Sequence, residues 1–177
     1  MRLFTAIDIS PEAKDDLRAL LDRLRPLARL SWSPVDNLHV TTKFIGEWPL
    51  ERLEEMKRTL ARVPTSGPIE ISVRGLGWFP NPKSPRVFWA GVHGAETLAG
   101  LAAATEAATA KAGVPEETRA FSPHLTLARI RERVALSALH KAIAGLSSDD
   151  FGSFQAEAFF LYQSAGGKYT KLAEFRL

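Results

Sequence analysis

Two short segments, His39-Val40-Thr41 and His124-Leu125-Thr126, repeat the order histidine, apolar, threonine at a separation of 85 residues. Both lie in β-like runs, "NLHVTTKFIGE" from Asn37 to Glu47 and "FSPHLTLARI" from Phe121 to Ile130, rich in branched side chains. In the first run, strand alternation sends His39, Thr41 and Lys43 to one face and Val40, Thr42 and Phe44 to the other. A lone strand histidine is usually a satisfied structural residue, but two in one context ask for a shared site. Paired imidazoles suit either metal ligation or general acid and base work. Ligation is the weaker option, because threonine is a poor ligand and no third His, Cys, Asp or Glu stands at ligand spacing. Imidazoles titrate near neutrality, and hydroxyls two residues on would hydrogen-bond non-bridging phosphate oxygens. The chemistry these side chains suit is phosphodiester cleavage, with Lys43 a further cation for the phosphate.

The elements around the two segments recur as well. Arg2-Leu3-Phe4-Thr5-Ala6 is echoed by Arg86-Val87-Phe88-Trp89-Ala90 at a spacing of 84, and the strand-like Ile69–Gly77 by Phe154–Tyr162 at 85. Helices are expected between them. Ser10 caps a run from Pro11 to Leu24 in which Leu17, Leu20, Leu21 and Leu24 form one apolar stripe. Ala95 to Gly113 is its partner, and Leu50–Val63 and Ala135–Leu146 follow the two histidine strands. Each half reads strand, helix, histidine strand, helix, strand, which predicts an α+β fold: a duplicated bilobal unit whose lobes each hold an antiparallel-type sheet and two helices. A single domain over residues 1–177 is expected, with an internal repeat of about 1–80 and 86–177. The proline-rich Gly77–Arg86 is expected to be the joining loop. An approximate two-fold would set the histidine strands across a cleft.

Composition narrows the field. A chain of 177 residues falls within the ~100 to 200 residues of one domain. It has no cysteine, which excludes disulfides, thiolate metal sites and cysteine nucleophiles. No apolar run reaches membrane length and the first residues lack a signal-peptide core, so a cytoplasmic protein is expected. A net charge of +3 leans toward a small or single-stranded nucleic acid rather than a long duplex. His93 in "GVHG" and His140 on a surface-type helix read as solvated. Trp78 and Phe79 read as core residues before base-stacking ones, and Tyr162, Tyr169 and Lys168 flank a turn at the cleft mouth. "SAGGK" lacks P-loop spacing.

With "RLFTAID", "NLHVTTKFIGE", "GLGWFPNPKSPRVFWAGV", "FSPHLTLARI" and "FGSFQAEAFFLYQSAGGKYTKLAEF" in this order, the sequence resembles the two-histidine phosphoesterases, and among them the LigT/ThpR-type RNA 2′,3′-cyclic phosphodiesterases, or 2′-5′ RNA ligases. The resemblance spans nearly the whole chain. It implies His39 as proton donor, His124 as proton acceptor, and Thr41, Thr126 and Arg129 on the substrate phosphate. Strict alternation would turn Arg129 away from His124, so a bulge or the strand's end must bring it back. A monomer with no metal or cofactor is expected, acting on RNA or tRNA fragments that end in a 2′,3′-cyclic phosphate, with reversible 2′-5′ ligation in the same site; the resemblance implies a 2′-phosphomonoester product. Two alternatives stand beside it: an esterase for small cyclic nucleotides, and an RNA-end-binding module without turnover.

Overall fold

The computed structural model describes all of Met1–Leu177 as nine strands in two antiparallel sheets, with four α-helices. The strands are β1 (Arg2–Asp8), β2 (Ser31–Trp32), β3 (His39–Glu47), β4 (Ile69–Phe79), β5 (Val87–His93), β6 (His124–Arg129), β7 (Asp150–Ala156), β8 (Ala158–Ala165) and β9 (Lys168–Arg176). One sheet runs β3-β1-β8-β9 and the other β2-β6-β5-β4-β7. The helices are α1 (Pro11–Leu24), α2 (Leu53–Leu60), α3 (Ala95–Lys111) and α4 (Ser137–Ala144). None is long and apolar enough to cross a membrane.

Helix α1 forms where its stripe and cap predict. The Ser10 hydroxyl accepts from the Ala13 amide at 3.1 Å, Pro11 opens the first turn, and Leu17, Leu20, Leu21 and Leu24 are buried. Helices α2 and α3 pack together, α3 covers β3, and α1 covers β7. Helix α4 sets His140 against Trp78, with ring centroids 5.0 Å apart. Helix α3 thus covers the sheet of His39, with α2 packed on it, while α1 and α4 lie against the sheet of His124.

The lobes are not the two halves of the sequence. Strand β4 joins the sheet of β5 and β6, while β8 and β9 join β1 and β3. The third strand of each half has crossed to the other sheet. The run Phe154–Tyr162 is correspondingly not one strand: β7 ends at Ala156 beside β4, and β8 starts at Ala158 and runs beside β1. The joining loop is also shorter than expected, because Gly77, Trp78 and Phe79 still belong to β4 and pair with β5.

The echo of Arg2–Ala6 in Arg86–Ala90 is out of register by one residue. Ala6 pairs with Thr41 and Trp89 with Thr126, so the structural spacing is 83. Phe4 accordingly lies on the face of His39, against which its ring stacks at 4.7 Å, whereas Phe88 is fully buried in the core.

Candidate active site

Both histidines open their strands, and strands β3 and β6 lie against one another where the two sheets meet. Their local geometry is the same. His39 Nδ1 lies 2.6 Å from the Asn37 carbonyl oxygen, and His124 Nδ1 lies 2.7 Å from that of Ser122. A carbonyl only accepts, so each Nδ1 carries the hydrogen and each Nε2 is left to exchange a proton. Thr41 and Thr126, two residues on, lie half-buried on the same faces.

Beyond the threonines both strands bulge, and the bulges decide what else reaches the site. In β3 the register steps from Ala6↔Thr41 to Thr5↔Lys43, leaving Thr42 as the extra residue. Its buried hydroxyl bonds that of Thr5 at 2.7 Å, which satisfies the polar group on the helix side of the sheet. In β6 the step runs from Trp89↔Thr126 to Phe88↔Ala128, with Leu127 extra and fully buried. Parity reverses after each bulge. Arg129 therefore returns to the face of His124 and Thr126, with its side chain exposed. In β3 the equivalent place is held by Phe44, 61% exposed, so the pair of motifs has a cation on one side and an aromatic ring on the other.

Electrostatics separate the two imidazoles. Burial pushes His39 below its ordinary value, offset by the Asn37 carbonyl and by the charge of Asp8. Burial also pushes His124 down, opposed by the Ser122 carbonyl, and the nearby Arg129 cation lowers it further. Asp8 pairs with His39 in register, and its carboxylate takes the Tyr162 hydroxyl at 2.5 Å and the Lys171 ammonium at 2.7 Å. Burial and that hydrogen bond push the Tyr162 phenol up, so it stays protonated. Tyr169 stands edge-on to His39 at 5.2 Å, and Phe79 edge-on to His124 at 5.1 Å. No three of the His, Asp and Glu side chains converge where they could hold a metal ion.

A family model described as LigT-like phosphoesterase matches residues 7–89 and 92–169, one stretch around each histidine motif. The chain belongs to the LigT-like phosphoesterase family. It is 34% identical over 185 residues to a Methanothermobacter thermautotrophicus protein named RNA 2′,3′-cyclic phosphodiesterase, covering 100% of this chain and 99% of that one. An Archaeoglobus fulgidus protein of the same name is 34% identical, with 93% and 91% covered. Among solved structures, a Thermus thermophilus protein superposes with a TM-score of 0.83 at 29% identity, covering 100% of this chain and 98% of that one. E. coli LigT complexed with 3′-AMP gives 0.78 at 26%, with 99% and 97% covered.

In this LigT-like phosphoesterase Lys43 is not part of the site, which corrects the reading from strict alternation. The Thr42 bulge turns it to the helix side, where its buried ammonium pairs with Glu106 of α3 at 2.7 Å and bonds the Pro115 carbonyl at 3.0 Å. Replacing Lys43 with Met is expected to leave turnover unchanged while lowering stability by about 2–3 kcal/mol, since Glu106 loses its partner. Urea unfolding and a rate assay on the same preparation check both halves of that expectation. The aromatic pair divides: Trp78 stacks on core Phe88 at 4.5 Å, while Phe79 borders His124. His93 is the exposed last residue of β5 rather than part of a turn, and His140 leans on Trp78 instead of standing free. Sequence reasoning passes over Asp8 and Phe44. Phe44 stands five residues after His39, as Arg129 does after His124, so the common offset is the available signal.

Proposed function

We propose that this phosphoesterase hydrolyses the 2′,3′-cyclic phosphate at the end of an RNA to a 2′-phosphomonoester, using His39 and His124 as general acid and base. One observation carries the reading: two imidazoles on touching strands, each with Nδ1 tied to a carbonyl and Nε2 free, each followed by a threonine on the same face. The names of the Methanothermobacter and Archaeoglobus relatives support the substrate class. In the reaction, neutral His124 Nε2 takes a proton from water as its oxygen bonds to phosphorus. The P–O3′ bond breaks, and protonated His39 gives its proton to O3′, leaving the phosphate on O2′ and a free 3′-hydroxyl. The Thr41 and Thr126 hydroxyls and the Arg129 guanidinium hold the non-bridging oxygens as charge gathers there. With an RNA 5′-hydroxyl in place of water, the same groups would join RNA ends through a 2′-5′ linkage, and the reverse of that step would cut it. Exposed Phe44 and Tyr169 offer rings to the terminal base. A monomer working on RNA or tRNA ends in the cytoplasm fits this reading.

The test is an assay of the purified protein on cyclic mononucleotides and on oligonucleotides ending in a 2′,3′-cyclic phosphate, with the product position read by phosphorus NMR. A 2′-phosphate from the oligonucleotides is expected. Preference for mononucleotides would favour a small-molecule esterase, and binding without turnover an RNA-end-binding module. Turnover is further expected to survive exhaustive chelation, because proton transfer from water to one imidazole and from the other to O3′ needs no Lewis acid. Loss with chelator and recovery with a divalent ion would make the histidines ligands.

A further inference from the structure

We propose that Asp8, braced by Tyr162 and Lys171, is the positioning residue that decides which of the two histidines holds the proton, because the equivalent place beside His124 is taken by Gly91. The inference rests on the two-histidine reading above and adds to it a residue outside both motifs. Its basis is a break in the symmetry between the lobes. Asp8 and His39 are register partners on β1 and β3, on one face of the sheet. At strand-pair separation their side chains begin only about 5 Å apart. On the other sheet the register partner of His124 is Gly91, which carries no side chain. A Cβ there would stand 2.5 Å from the Arg74 carbonyl oxygen, so nothing larger fits without movement. One histidine is built beside a fixed anion and the other is not.

The way Asp8 is held matters as much as its place. One carboxylate oxygen takes the Tyr162 hydroxyl and the other the Lys171 ammonium. His39 Nδ1 is already engaged with the Asn37 carbonyl. Asp8 therefore acts on the imidazole through space, and Nε2 stays free for the leaving oxygen. A carboxylate that gripped Nε2 would withdraw that proton from use. The groups that face His39 are Asp8 from β1, Tyr162 from β8, and Tyr169 and Lys171 from β9. Tyr162 stays neutral, and the strand order β3-β1-β8-β9 puts the Asp8 backbone two strands closer to His39 than that of Lys171. Of the two charges, Asp8 is the one that acts on the imidazole, and it favours the protonated form. Arg129 acts on His124 in the opposite sense.

The experiment is a proton NMR titration of the histidine ring protons in the full chain, run beside the pH dependence of kcat/KM, for the parent protein, Asp8→Asn and Lys171→Met. Asparagine can still accept from Tyr162 but carries no charge. In Asp8→Asn, His39 is expected to titrate at lower pH while His124 stays in place. The alkaline limb of the rate profile should follow it down, with a loss of about tenfold at high pH and KM unchanged. Lys171→Met, which leaves the anion uncompensated, should move His39 the other way. If His39 titrates in Asp8→Asn where it does in the parent, the proposal is overturned, even if the rate falls, since Asp8 would then only brace the sheet. If Asp8→Asn melts before it can be titrated, an unmoved His39 in Lys171→Met has the same force. Failure of the underlying reading looks different: a His39→Ala protein with normal turnover would remove the acid and base roles while leaving the titration shift intact.

Discussion

His39→Ala and His124→Ala are each expected to lose roughly 10²- to 10⁴-fold in turnover, since on the proposed mechanism each removes one of two proton transfers. The double variant should fall well short of the product of the two losses, because groups that work in one concerted step are strongly non-additive. Both imidazoles sit on the histidine faces of their sheets, and the packing behind them belongs to Val40 and Leu125, which are fully buried. Circular dichroism and melting should therefore match the parent. The pH profile of kcat/KM should be bell-shaped, its limbs belonging to the coupled pair rather than to either residue. Burial holds both histidines below the ordinary 6.5, so the maximum of that profile is expected on the acid side of this value. A variant lacking either imidazole that turns over near the parent rate would end the reading.

Arg129→Ala should cost about 10²- to 10³-fold, the size of losing one preorganised donor to a developing phosphoryl charge. The structure adds a second effect that the residue type alone does not suggest. On residue type, a cation that does not titrate near neutrality is expected to leave the pH profile where it stands. Arg129 lies close enough to His124 to hold its proton affinity down. Without it His124 should bind a proton more readily, and the base must be neutral to act. The acid limb should consequently move to higher pH, while Arg129→Lys, which keeps the charge but not the planar fork, should leave the limb nearly in place and recover only part of the rate. A full rate in Arg129→Ala on every cyclic-phosphate substrate would return Arg129 to the status of a surface residue.

The parts of this molecule legible in the sequence are those fixed by local chemistry. The Ser10 cap, Pro11 and the leucine stripe mark α1 within its own stretch of sequence. The paired His-x-Thr segments stand out because polar residues are repeated where core residues belong. What stays hidden depends on pairing between distant strands. The Thr42 and Leu127 bulges are invisible in composition, yet they remove Lys43 from the site and bring Arg129 into it. The family pattern points to Arg129 where alternation alone points away. Identity misleads at Phe4 and Phe88, which align by letter but face opposite sides of their sheets. Asp8 is unremarkable in "RLFTAID" until the antiparallel register of β1 and β3 sets it beside His39.

The exchange of third strands also governs when the site comes into being. Strand β1 is hydrogen-bonded to β8 near the far end of the chain, Phe4 lying beside Tyr162, and β7 reaches back to β4. Such pairings raise the contact order, and the entropy of closing long loops must be met before they reward the chain. As the polypeptide leaves the ribosome, β1 and β3 can meet early, but their sheet remains half built until β8 and β9 emerge. Asp8 likewise waits for Tyr162 and Lys171. Neither half, cut at the 80–86 loop, would carry a finished sheet, and mixing the two fragments would regain turnover only by rebuilding both sheets together. The candidate site is thus a property of the paired sheets, complete only once β8 and β9 have joined β1.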